Sequence, residues 1–241
     1  RMLSRCLDSQ IRTDATATLG PPADDRSLWW RQDIADGQDL HREEIAFQLV
    51  TALRDTCRGL LKSHSISTEQ VLSILGEYPW PIFQRLSLFV LSEVDTSPDL
   101  ARSWLVNKDN FENVHIRHEY NLLMKAAFPS LGETDQRLII GWANEFDSEE
   151  TKASLTRWSG NAPTAEELER ARVSKSLDRL RHVREHLPSD LQDDLRKWAE
   201  EGADLDRPDY AISMSHWVGP TSPQTTEELA ALSVEDLVTY L

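Results

Sequence analysis

Two cysteines, Cys6 and Cys57, in 241 residues exclude a disulfide-stapled fold. Cys57 falls on an apolar helical stripe, which predicts a buried, reduced thiol and a cytoplasmic chain. Glycine is scarce, with nine in all. No G-x-x-x-x-G-K-[ST], G-x-G-x-x-G or G-x-S-x-G occurs, so the chain has no phosphate-cradling loop or nucleophile elbow of known pattern. No apolar run is long enough to cross a bilayer, and no signal peptide opens the chain. Basic residues are also short: 26 Lys and Arg face 41 Asp and Glu, a net charge of -15. Such a surface repels phosphate backbones and anionic lipid, which disfavours nucleic-acid and membrane partners.

What the chain does contain is helical patterning around one stretch, Tyr78 to Val94. Pro81 has no N–H to lose and a fixed φ, which suits the first turn of a helix. Ile82, Leu86, Phe89 and Val90 then recur at helical spacing, while Phe83 and Leu88 lie off that face. A helix apolar on two sides must be covered on two sides. The neighbours read as its cover. Met2–Ile11 is a short amphipathic segment, and Thr13–Arg26 a linker. Leu40–Lys62 carries Ile45, Leu49, Leu53, Cys57 and Leu60 on one side, with Arg54, Asp55, Arg58 and Lys62 on the other. Ser67–Gln70 and Thr164–Glu167 have the form of capping boxes.

These features predict an all-α fold, an irregular HEAT- or armadillo-like α-solenoid of stacked helix pairs. Ile82, Leu86 and Phe89 match Ile116, Tyr120 and Leu123 in role, each 34 residues on, as in a two-helix repeat. The expected organisation is an N-terminal helix and linker over 1–26 and a core helical-repeat segment over 27–146. A polar loop over 147–163 follows, then an outer charged helix and C-terminal helical segment over 164–241. The first and last residues read as cut ends of a longer parent chain. Asn107–Asn113 is expected to be a loop around a single turn. Leu138, Ile139, Trp142 and Phe146 mark a further helix.

Two stretches invite a chemical reading. His182-Val-Arg-Glu-His186 matches H-x-x-E-H, in which two histidines one turn apart hold zinc and the glutamate acts as base. His182, Glu185 and His186 are therefore candidate metal ligands, although a heavily charged helix supplies such matches by chance. His115 and His118, three apart, offer only two ligands. Catalytic residues, cofactors and an occupied metal site are otherwise not expected. Trp29, Trp30 and Trp217 are the candidate partner-binding anchors, because tryptophan combines apolar area with a polar handle.

Tyr78-Pro-Trp-Pro-Ile-Phe-Gln-Arg-Leu-Ser-Leu88, Phe111-Glu-Asn-Val-His-Ile-Arg-His-Glu-Tyr120 and Gly219-Pro-Thr-Ser-Pro223 before Glu227-Glu-Leu229 carry a resemblance. Together they resemble the helical region of large, poorly characterised bacterial multidomain proteins with nucleotide-binding or effector domains, suspected in antiphage defence. The resemblance implies that catalysis lies in another domain and that this region is a non-catalytic scaffold or sensor. It would bind a protein partner or an adjacent domain of the same chain. The competing expectation is a helical metal-dependent hydrolase using the HVREH motif.

Overall fold

The computed structural model describes residues 1–14, 33–35, 44–94, 97–207 and 209. Among them every regular element is helical. The expected helices beyond residue 225 and the anchors Trp29, Trp30 and Trp217 lie outside the described residues. In chain order the α-helices are α1 (Met2–Asp14), α2 (Ile45–Lys62), α3 (Thr68–Leu75), α4 (Pro81–Glu93), α5 (Pro98–Leu105) and α6 (Lys108–Glu112). They continue with α7 (Arg117–Ala127), α8 (Glu133–Asn144), α9 (Ser148–Ser159), α10 (Ala165–Leu180) and α11 (Ser189–Glu200). Short 3-10 segments at Phe128–Ser130 and Arg181–His186 follow α7 and α10. No described helix is long and apolar enough to cross a membrane.

Helix α4 is a wall between two hydrophobic cores. Ile82, Phe83, Leu86, Phe89 and Val90 join α1, α2 and α3 in one core, with Leu7, Val50, Leu53 and Leu75. Leu88 and Leu91 join the other, with Leu105, Tyr120, Leu123, Leu180 and Leu195. Burial of α4 on two sides follows from the apolar residues off its main face. Its start also follows the sequence: Pro81 occupies the first turn and Trp80 the N-cap. The most extensive packing of α4 is against α7. The Tyr120 hydroxyl, inside the second core, donates to the Leu105 carbonyl at 2.7 Å and so ties α7 to α5. Both expected capping boxes form, at Ser67 with Gln70 and at Thr164 with Glu167.

Several expectations need correction. In α2 the buried stripe is Ala46, Val50, Leu53, Cys57 and Leu61, while Ile45 is 67% exposed. Arg54, assigned from sequence to the solvent side, is buried because its Nη1 donates to the Ile34 carbonyl at 2.9 Å. Cys57 is buried as expected, and burial pushes its thiol pKa up to about 11. The stretch 147–163 is not all loop: it contains α9, begun by the Asp147 carboxylate accepting the Glu150 N–H and ended by Gly160 at φ 75. Only glycine adopts that left-handed stop without strain. In α8, Leu138 is exposed and Ile139 and Ala143 are buried. Helix α10 is not wholly external either, since Ser176, Leu177, Arg179 and Leu180 are buried against the second core.

If α4 is the shared wall, Phe89→Ala lowers unfolding free energy by about 3–5 kcal/mol, the cost of an aromatic-sized core deletion. The solvent-facing Ile45→Ala changes it by less than about 0.5 kcal/mol. Urea unfolding of the two variants measures the contrast.

Candidate functional site

The deepest polar cluster sits where α4 meets α7. Arg85, on α4, is 1% exposed, and Glu119, on α7, is fully buried. The guanidinium donates from Nε to Glu119 Oε2 and from Nη2 to Oε1, both at 2.9 Å. The backbone N–H of Ile34 also donates to Oε1, at 3.2 Å. The Ile34 carbonyl in turn receives the Arg54 guanidinium of α2. One short segment, 33–35, is therefore gripped from α2 and α7 together. Its next residue in the cluster, Asp33, pairs with His118 Nε2 at 3.3 Å.

Asp33, His118 and Glu119 place one ligand atom each within 4.8 Å of one another. The donor set does not suit a metal ion. Both Glu119 oxygens are engaged by the Arg85 fork, so a permanent cation already sits where a metal would compete. The neighbouring pair is polarised. Burial opposes the Asp33 charge, but the His118 hydrogen bond and charge, the Ala35 N–H and Arg85 outweigh it and hold the carboxyl below its usual range. Burial likewise opposes imidazolium at His118, and the Asp33 hydrogen bond with the charges of Glu119 and Asp33 raises its pKa regardless.

A second polar cluster lies beside the first. His118, Asn121, Lys125, His182, His186 and Asp209 are among the residues lining a pocket of about 450 Å³. Asp209 is its hub. Asn121 Nδ2 donates to Asp209 Oδ2 at 2.8 Å, and the buried Arg181 guanidinium and His182 also reach the carboxylate. Burial pushes the Asp209 pKa up, but His182, Asn121 and Arg181 prevail and bring it down to about 2. Arg181 also donates to the Leu205 carbonyl at 2.8 Å and pairs with Asp178. Arg184 pairs with Asp206, and Arg207 with Asp178. Most of the basic lining is thus neutralised.

The structure brings the candidate residues His182, Glu185 and His186 to the wall of this pocket but not into an α-helical metal site. Residues 181–186 form a 3-10 segment with a kink at Val183, φ -115 and ψ 18. Across that kink the α-helical i, i+4 relation between His182 and His186 does not hold. His182 is spent on Asp209, and the three do not gather as a metal-ligand group. His115 precedes α7, so His115 and His118 do not share a helical face. Sequence reading missed Arg85 and Glu119, to which it gave no role. One signal was available: they are 34 residues apart, the same step that relates Ile82 to Ile116 and Leu86 to Tyr120.

Chemically, the described lining offers the His182–Asp209 pair, His118 backed by Asp33, and an amide. These groups can bind and exchange protons. No family model, curated protein or solved structure matches the chain.

Truncating one partner of the buried pair leaves the other charge stranded. Arg85→Met is expected to cost about 3–5 kcal/mol, and the double variant Arg85→Met with Glu119→Leu to recover much of that loss. Equilibrium denaturation of the two variants checks the recovery.

His118 gives a pH signature. Its folded pKa is raised, so its stabilisation is complete below about pH 6.5, the unfolded value, and fades as pH rises through the folded value. Asp33 has the opposite edge: its contribution is present above about pH 3.9 and fades as pH falls through its lowered value. Raising pH from about 6 to about 9 should therefore lower the Tm of the wild type. His118→Asn should flatten that part of the profile. Equal slopes in both proteins would show that the pair has no such role.

Proposed function

We propose that this chain is a non-catalytic helical scaffold or sensor region, an irregular HEAT/armadillo-like solenoid in the cytoplasm. On this reading it binds a protein partner or an adjacent domain of its parent chain, in a bacterial defence setting of the kind its sequence resembles. The observation that carries the reading is the recurrence of ties between successive layers. Arg58 pairs with Glu93, Arg85 with Glu119, Arg102 with Asp135 and Lys108 with Glu145, at separations of 35, 34, 33 and 37 residues. Such a step supports repeated helical units, each able to bury its apolar side only against the next. Stacks of this kind present long surfaces suited to holding other proteins.

The hydrolase reading keeps one point in its favour: His182, Glu185 and His186 all line the same pocket. Against it stand the 3-10 geometry and the engagement of His182 by Asp209. Metal analysis separates the two. Zinc at one equivalent, lost together with a hydrolytic activity in His186→Ala, would overturn the scaffold reading.

The partner-binding test uses the parent chain's neighbouring domains, added separately to the immobilised region, and host lysate. A saturable one-to-one complex is expected with a neighbouring domain or with a partner purified from lysate. Trp29→Ala, Trp30→Ala and Trp217→Ala should each weaken it by at least about tenfold if these side chains are the anchors. No complex with either source would contradict the proposal.

A further inference from the structure

Four arginines are buried among the described residues: Arg54, Arg85, Arg179 and Arg181. Arg85 and Arg181 face buried or half-buried carboxylates, and Arg54 pairs with Asp55. Arg179, in the last turn of α10, differs. It is 7% exposed and has no carboxylate in ion-pair contact among the described residues. Its Nη2 donates to the Phe111 carbonyl, and its guanidinium carbon lies 4.0 Å from the centre of the Phe111 ring. Its Nη1 is buried with no hydrogen-bond partner. A buried cation with an idle donor is costly unless an anion completes it.

A second guanidinium stands in the same condition. Arg117, in the first turn of α7, has a buried Nε without a partner. Arg117 and Arg179 line one cavity of about 960 Å³, together with Phe111 and Trp142. Lys175, one turn before Arg179 on α10, lines it too. Burial, then repulsion from Arg117, depresses the Arg179 pKa to about 10, so it remains charged at neutral pH while destabilised by its surroundings. A bound anion would offset the repulsion between the two guanidinium groups.

The acidic lining narrows the choice. Glu112, Glu145, Asp147 and Glu150 also border the cavity. Glu112 and Glu145 are held by Lys108, and Asp147 accepts the Glu150 N–H at the start of α9. Four carboxylates beside three cations repel an extended polyanion and leave room for one small charged group. Two guanidinium groups and an ammonium match a dianion with three terminal oxygens better than a single carboxylate. Phe111 and Trp142 in the lining suit an organic substituent on that group.

We propose that Arg117, Arg179 and Lys175 form a binding site for a small-molecule phosphate monoester, with its phosphate between the two guanidinium groups. This site is independent of the scaffold reading and stands or falls on its own test. Calorimetric titration of the whole chain with phenyl phosphate, and with benzoate at matched ionic strength, measures it. The result expected is one-to-one binding of phenyl phosphate that is weakened by at least about tenfold in Arg117→Gln, with benzoate bound much more weakly. Arg117 is only half-buried, so this variant retains the core. A parallel thermal scan with inorganic phosphate should raise the Tm of the wild type more than that of Arg117→Gln. Phosphate stabilises folded proteins generally by exclusion, so an equal rise in both counts against the site. No binding of phenyl phosphate at millimolar concentration, unchanged affinity in Arg117→Gln, or equal affinity for benzoate would overturn the proposal.

Discussion

The Arg85–Glu119 pair sits at the seam between the two hydrophobic cores, and the arrangement of the surrounding helices depends on it. Neither charge reaches solvent. Removing two charges from water is expensive, and their attraction offsets that cost only when geometry is good and the spare acceptor sites are filled. Here the fork is bidentate and Glu119 takes one further N–H from Ile34. The gain is in specificity more than in stability. An apolar pair at this seam would let α4 slide or rotate along α7, whereas a bidentate pair accepts one register. Because Glu119 also grips Ile34, and Ile34 grips Arg54, the same register fixes α2.

This constraint explains why polar clusters lie deep in an acidic chain. Asp33–His118 adjoins the Glu119 node, and Asn121, half a turn further along α7, reaches Asp209. One helix thus presents polar groups to α4 on one side and to the 181–186 segment on another. The carboxylates of these clusters are matched by cations, although Asn121 Oδ1 keeps no hydrogen-bond partner. The guanidinium groups at Arg117 and Arg179 differ in having no carboxylate in ion-pair contact among the described residues.

The sequence made α4 legible because several signals coincide there: proline at the start and apolar residues on two faces. The capping boxes at Ser67 and Thr164 were legible for the same reason. The register of α2 was not. The buried face keeps Leu53 and Cys57 but takes Ala46, Val50 and Leu61 in place of Ile45, Leu49 and Leu60, and it also holds Arg54, whose guanidinium reaches the Ile34 carbonyl. Helix α9 was hidden by its polarity: with little buried surface, its existence rests on the Asp147 cap and the Gly160 stop. The candidate motif at 182–186 misled because i, i+4 spacing implies one face only in an α-helix, and this segment is 3-10 with a kink at Val183. The buried pair at Arg85 and Glu119 left a trace only in the 34-residue step it shares with the apolar positions.

Native-state hydrogen exchange tests the central claim most directly. If α4 is the common wall and the buried pair locks it to α7, the amides of both helices exchange together, at the rate of global unfolding and slower than those of α9. Exchange of α4 amides within seconds, or well ahead of those in α7, would contradict the account.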